Sequence, residues 1–472
     1  MQKLHEECGI FAISGTSGRD PATDTYYGLF ALQHRGQEGC GIAVNKNGQI
    51  CIHKDLGLVN EVFDTTRLSM LAGAQMALGH VRYGTTGSSL RANVQPLVIN
   101  HLEGSMALAH NGNLTNDMQL RRQLEEAGCI FHTSSDTEVI AYILTGNRMK
   151  EPTIEAALSK TMDQIKGAYS LAVMTQGKLL AARDPNGFRP LCLGSVDGHY
   201  LVSSESCAID AIGGTFIRDI EPGEIISIQN DKLKSDRSHC GKPRSLCVFE
   251  LIYFARPDSK LDGISVHKAR IRAGGFLALE HPIQADVVIG VPDSGIDAAI
   301  GYARQSGIPY EIGLIKNKYI GRTFIQPGQG NRERAVSIKL NPITSVVNGK
   351  RVILIDDSIV RGTTSKRLVS LLRSKGAKEV HFLSAAPKFL YPCYFGTDID
   401  SSENLFAYKY NDEEMKQILD VDSIGFLSTD NVSKLADIPS KGFCTACFTG
   451  KYPLQVDKTG RKDKYDRGTA NE

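Results

Sequence analysis

VILIDDSIVRGTTS, residues 352–365, decides how the second half of this chain folds. A continuous apolar run ends in two adjacent carboxylates. It then passes through a loop of small hydroxyl residues and glycine into KRLVSLLRSKG, whose periodicity predicts a helix starting near Thr364. A strand apolar on both faces belongs in a parallel sheet covered on both sides. Upstream, DVVIGV runs into PDSG and then into the helical pattern IDAAIGYARQSG, so the strand, loop, helix order repeats. Asp356 and Asp357 fall at the carboxyl end of their strand, where open α/β sheets bind ligands. The N–H groups of the following loop and the helix dipole suit a phosphate. Carboxylates beside a phosphate repel it unless they hold ribose hydroxyls or a Mg²⁺. Taken alone, the two acids equally suit a helix cap.

The first half has a different texture. CGIFAIS, CGIAV, ALGHVRYG, MALAHNG, GAYSLAVM, KLLAARD and YLVSSES read as short strands, with a hairpin turn at Asn47-Gly48. Two helical stretches, TYYGLFALQH and NDMQLRRQLEEAG, interrupt them, which is an α+β layout. The polar stretch SDRSHCGKPRS, 235–245, is the expected linker, and the Lys-, Asp- and Gly-rich tail at 454–472 is expected to be disordered. With 472 residues the chain needs more than one core. A formal net charge of +2 gives no general reason to bind nucleic acid or membrane, and no apolar run has the length of a membrane span. The leader MQKLHEE is too short and polar for a signal peptide, so a cytoplasmic protein is expected.

That leader stands in front of Cys8, in HEECGIFAIS. A thiolate attacks an amide carbonyl well, but no His-Asp pair is obviously placed to activate this one. If the chain began at Cys8, its α-amino group, with a pKa of about 7.7–8.0, would be the base. Residues 1–7 are then a propeptide cut between Glu7 and Cys8. HNGN at 110–113 offers the Asn111 amide and the Gly112 N–H to an oxyanion, Arg82 in HVRYGTTG suits a carboxylate, and Asp136 in SSDTE suits an ammonium. Each alone has a bland alternative as a turn or an exposed charge.

Together with QHRGQEG, 33–39, these motifs resemble the glutaminase domain of N-terminal-nucleophile amidotransferases, whose fold is an αββα sandwich of two antiparallel sheets. The 352–365 string resembles the signature of type I phosphoribosyltransferases, which bind 5-phosphoribosyl-1-pyrophosphate. The resemblance covers nearly the whole chain and implies a glutaminase domain at 8–235 and a phosphoribosyltransferase domain at 246–453. It implies that Cys8 is the nucleophile, that Asn111 and Gly112 form the oxyanion hole, and that Arg35, Arg82, Thr85 and Asp136 hold glutamine. It places 5-phosphoribosyl-1-pyrophosphate on Asp293, Ser294, Lys316, Arg322, Asp356, Asp357, Ser358, Arg361, Gly362, Thr363 and Thr364, with one Mg²⁺ at Ser294, Asp356 and Asp357. The basic loop KNKYIGRTFIQP, 316–327, would close over the pyrophosphate. A homotetramer inhibited by purine nucleotides is also implied. A sugar-phosphate aminating enzyme would need a different second domain. A regulator that kept only the phosphoribosyl site would not need the Cys8 constellation.

Cys444 and Cys447 form a C-x-x-C pair, which by itself suits zinc, a redox pair or half of an iron–sulfur site. The resemblance adds Cys247 and Cys393 and implies a [4Fe–4S] cluster that staples the second domain. Of the other cysteines, Cys40 in GQEGCG is expected to be a packing variant beside the glutamine pocket, close enough to Cys8 for the two to oxidise together.

Overall fold

The structure, a computed structural model, describes residues 8–15, 18–83, 90–317, 340–399, 401–436 and 442–456. The leader at 1–7 and nearly all of the expected tail lie outside them.

In the first unit the strands are β1 (Gly9–Ser14), β2 (Gly39–Lys46), β3 (Gln49–Leu56), β4 (Met76–Arg82), β5 (Leu97–His101), β6 (Gly104–Leu114), β7 (Gly167–Met174), β8 (Leu179–Arg183), β9 (Cys192–Val196), β10 (His199–Ser203), β11 (Thr215–Asp219), β12 (Ile225–Gln229) and β13 (Lys232–Asp236). They build two antiparallel sheets, in the orders β11-β9-β10-β1-β4-β2-β3 and β13-β12-β8-β7-β6-β5. Alternation sorts their side chains. Ile10, Ala12 and Leu78 meet Ala107, Ala109 and Ala172 between the sheets. Phe11, Ile13 and Val81 point outward, toward the helix Pro21–Ala31. On the other outer face Leu108, Leu171 and Val173 pack with residues of the helices Asp136–Arg148 and Ile154–Gln164. The layers are αββα. The β2–β3 turn is the expected two-residue one, Asn47 and Gly48 having φ of 52° and 86° between paired Lys46 and Gln49.

The structure corrects the expectation of two helices in this unit, because helices Asp136–Arg148 and Ile154–Gln164 are also present. The first buries Val139, Ile140, Ala141, Ile143 and Leu144, a nearly continuous apolar run that reads as a strand. The second carries Thr153 as its cap and buries Ile154, Ala157, Leu158, Thr161 and Met162, a helical spacing that was readable.

Strand β13 takes the first two residues of the expected linker, and the Ser245 N–H donates to the Asn186 carbonyl at 2.8 Å. In the second unit four parallel strands lie in the order Val287–Gly290, Arg351–Asp356, Glu379–Ser384, Ser423–Phe426. Ala273, Leu277 and Tyr302 cover one face of this sheet, and Leu368, Val369, Leu372 and Met415 cover the other. No helix among the described residues is long and apolar enough to cross a membrane.

Candidate active sites

Cys8 directly precedes β1, so alternation sends its side chain to the face of Ile10 and Ala12, between the sheets. Gly9 pairs with Val81, and His80 and Arg82 therefore share that face. On the opposing sheet Asn111 lies in register with Ala107 and Ala109, which face the same layer. His80 ties the sheets together by donating from Nε2 to the His110 carbonyl at 3.1 Å. Burial pulls its pKa down to about 3, so the ring is neutral. Cys8 is 8% exposed and its thiol donates to the Tyr83 carbonyl at 3.6 Å. Asn111 is 1% exposed, and its amide nitrogen has no hydrogen-bond partner among the described residues. A buried donor left unpaired is costly unless a ligand uses it. Gly112 has φ of +143°, and a Cβ there would sit 2.1 Å from the Ala168 carbonyl oxygen, so only glycine fits.

Arg82 is buried, with Nη1 3.4 Å from Glu38 Oε2. Asp136 heads its helix and accepts the Leu114 N–H at 2.9 Å, with His110 Nδ1 at 3.4 Å. Thr85 lies outside the described residues.

Two expectations change. Arg35, expected on glutamine, is fully buried and committed elsewhere. Its Nε donates to the Cys8 carbonyl at 3.1 Å, Nη1 to Glu205 at 2.6 Å and Nη2 to Glu250 at 2.7 Å. It therefore ties the backbone of Cys8 to the second unit. Burial raises the Glu205 pKa, but His34 and Arg35 outweigh it and hold the carboxyl below its ordinary range. Cys40 pairs with Val81 and packs among the outward-facing residues, so it lies on the opposite face of the sheet from Cys8. Burial pushes its thiol well up, which makes it a packing residue rather than an oxidation partner of Cys8.

At the other centre, Asp293, Ser294, Lys316, Asp356, Asp357, Ser358, Arg361, Gly362, Thr363 and Thr364 all line one cavity of about 530 Å³. Arg322 and most of the 316–327 loop fall outside the described residues. Gly362, at φ +75°, caps the helix Thr363–Ser374 without a side-chain acceptor, which leaves the first-turn N–H groups to an anion. Asp357 accepts hydroxyls from Ser294 and, at 2.6 Å, from Ser358, and Asp356 accepts the Asp357 N–H at 2.9 Å. Lys316 pairs with Asp293. Sequence reasoning missed the rest of the wall: Gln33, His34 and Gln37 reach in from the first unit, joined by Tyr253, Arg256 and Arg270. QHRGQEG carries the resemblance of the first unit, but nothing in it points toward a cavity of the other domain.

Cys247, Cys393, Cys444 and Cys447 line one pocket together with Phe188, Phe249, Phe389 and Phe395. Strands Leu246–Cys247 and Phe443–Cys444 pair in parallel, which sets Cys247 beside Cys444. Burial first, then the other three thiols, push the Cys447 pKa up, and burial raises Cys444 to about 12. Among the described residues no three His, Cys, Asp or Glu side chains are grouped so as to hold a metal ion.

Comparison with known proteins gives each unit a family. Residues 80–211 match the family described as the glutamine amidotransferase domain, and residues 267–388 match the phosphoribosyl transferase domain. The chain is 48% identical to a Bacillus subtilis protein named amidophosphoribosyltransferase, covering 97% of this chain and 96% of that one. It is 47% identical to a Methanocaldococcus jannaschii protein of the same name, covering 95% and 98%. A solved structure of the B. subtilis glutamine phosphoribosylpyrophosphate amidotransferase, complexed with ADP and GMP, superposes with a TM-score of 0.90 at 47% identity, covering 97% of this chain and all of that one. At this identity and coverage, the chain belongs to the amidophosphoribosyltransferase family.

Proposed function

We propose that the Cys8 end of the sandwich hydrolyses glutamine and that the ammonia passes inside the protein to the 356–364 cavity, where it displaces pyrophosphate from 5-phosphoribosyl-1-pyrophosphate. The products are glutamate, 5-phosphoribosylamine and pyrophosphate, in the family's first step of purine biosynthesis. The observation that carries this division of labour is the shared wall: Gln33, His34 and Gln37 of the glutaminase unit line the cavity that holds every described phosphoribosyl candidate.

Once residues 1–7 are removed, the α-amino group of Cys8 takes the thiol proton, and Sγ attacks the side-chain amide carbon of glutamine. The same group returns the proton to the departing ammonia, leaving a γ-glutamyl thioester on Cys8; it then takes a proton from a water that attacks the thioester, which releases glutamate and restores the thiol. The Asn111 amide and Gly112 N–H receive the oxyanion, and the unpartnered Asn111 nitrogen supports that role. Arg82 holds the substrate carboxylate and Asp136 its ammonium. In the second centre the 361–364 loop takes the 5-phosphate, Asp356 and Asp357 the ribose hydroxyls, and Asp293, Ser294 and Lys316 the pyrophosphate.

Two carboxylates and a hydroxyl are hard oxygen donors. Asp356, Asp357 and Ser294 therefore fit a Mg²⁺, an ion that takes its remaining ligands from substrate phosphates and water and neutralises the leaving pyrophosphate. Four thiols around one aromatic-lined pocket suit a [4Fe–4S] cluster, with a zinc ion as the alternative occupant. The cluster would be a staple between the ends of the second unit. A cytoplasmic homotetramer inhibited by purine nucleotides completes the reading, and the B. subtilis relative solved with ADP and GMP supports the nucleotide part. Glutamate release and pyrophosphate release, measured together with glutamine and 5-phosphoribosyl-1-pyrophosphate, test it. One-to-one release supports the reading, and absence of either product contradicts it.

A further inference from the structure

Strand β5 begins at Leu97, which pairs with Leu108 of β6. Two steps back along that register Gln95 comes opposite His110, but there the Gln95 backbone has left β6. Its carbonyl oxygen lies 2.5 Å from where a Cβ on Gly41 of β2 would be, a close approach for which glycine leaves room. The side chain takes over the backbone's place beside β6. Gln95 is 4% exposed, its Oε1 accepts the His110 N–H at 2.7 Å, and its Nε2 donates to the Thr137 hydroxyl at 3.0 Å. A backbone N–H can only donate, so the orientation of the Gln95 amide follows from this contact.

The two partners of Gln95 are the immediate neighbours of the groups that grip the two ends of the substrate. His110 precedes Asn111 on the oxyanion strand, and Thr137 follows Asp136 at the head of its helix. Thr137 is fully buried and also accepts the Ser135 hydroxyl at 3.0 Å, which fixes its own hydroxyl. The same segment is locked a second time on the loop before that helix: Asn93 donates from Nδ2 to Ser134 Oγ at 2.9 Å and accepts the Ser134 N–H at 3.0 Å. Asn93 and Gln95 thus hold the approach to Asp136, and Gln95 ties that approach to the oxyanion strand.

We propose that Gln95 is a positioning residue that fixes the span between the Asn111 oxyanion donor and the Asp136 clamp, and thereby selects glutamine over asparagine, its homologue one methylene shorter. The proposal rests on the glutamine hydrolysis at Cys8 proposed above and adds to it the residue that measures the donor's length. A substrate gripped at both ends reacts when its amide carbon arrives within reach of the thiolate, and a misplacement of about 1 Å costs on the order of 10² in rate. With the Gln95 bridge in place the shorter amide satisfies one end and not both. One methylene read by shape is worth about 10–200-fold in discrimination.

The test measures kcat/KM for glutamate release from glutamine and for aspartate release from asparagine, in wild type and in Gln95→Met, which keeps the side chain's length and loses both hydrogen bonds. The ratio of the two constants is expected to fall about tenfold or more in the variant, with the glutamine reaction falling further than ammonia-dependent synthesis. An unchanged ratio, or no aspartate release by the variant at any asparagine concentration, overturns the proposal. Thr137→Val breaks the same bridge from its other end and keeps the proposal testable if Gln95→Met does not fold. It shifts the ratio in the same direction, Thr137→Ser recovers what it loses, and the double variant loses no more than the worse single one. Full selectivity in Thr137→Val, or additive losses in the double variant, overturns the proposal. A wild type that releases no glutamate overturns the proposed reaction and this inference with it, whereas an active wild type beside variants of unaltered preference overturns this inference alone.

Discussion

The Nε–H of Arg35 donates to the carbonyl oxygen of Cys8 at 3.1 Å, while the rest of the same guanidinium is divided between Glu205 and Glu250. The nucleophile's backbone is thereby held by an ion cluster buried at the boundary of the two domains. Replacing Arg35 with Met would remove the cation shared by two buried carboxylates, leaving Glu205 to His34 and Glu250 to Arg189, a loss of about 3 kcal/mol. Urea unfolding should show the midpoint shifted down accordingly, and a midpoint equal to wild type would remove Arg35 from this role.

The Asn111 amide is a buried donor without a partner among the described residues. Asn111→Ala should cost little stability and about 10²–10³ in glutamine-dependent kcat, while ammonia-dependent synthesis stays near wild type. Equal losses in the two reactions would point to a structural role instead.

Asp219 accepts the Gly263 N–H at 3.0 Å across the domain boundary, and burial, then Asp262, raise its pKa to about 6 from 3.8. The folded state therefore binds this proton more tightly than the unfolded state does. The stabilisation is full below about pH 4 and is lost as pH rises through about 6. Asp219→Asn should match wild type at pH 4 and be more stable by about 1–2 kcal/mol at pH 7.5. A variant less stable than wild type at pH 7.5 would contradict this sign.

Contiguity decided what was legible in the sequence. The 352–365 loop carries its acids, hydroxyls and helix start in one string, and all of its candidates line one cavity. Arg35 meets Glu205 and Glu250 at sequence separations of 170 and 215, and no local pattern announces a countercharge that far away. Asp136 stands out as a charge in SSDTE, but the helix it heads has so apolar a sequence that its period is hidden. Cys40 packs as expected, but the face of the sheet it occupies follows from its pairing with Val81, a register between distant strands that no local pattern carries.

Protein purified without oxygen should contain about four Fe per chain. Cys393→Ser should lower that content and the associated visible absorbance. One zinc per chain and no iron would contradict the cluster while leaving both catalytic centres as described.

The mass of the intact purified chain should be that of residues 8–472, the leader MQKLHEE having been lost. Cys8→Ala should retain the leader if the chain cuts itself, and a processed Cys8→Ala protein would assign the cut to another protease.

The most direct test of the two-centre account is product formation by Cys8→Ala from 5-phosphoribosyl-1-pyrophosphate, with glutamine and with ammonia as alternative nitrogen donors. The account predicts that synthesis from glutamine is abolished and that synthesis from ammonia persists. Loss of both in a folded protein, or survival of the glutamine-dependent reaction, would contradict it.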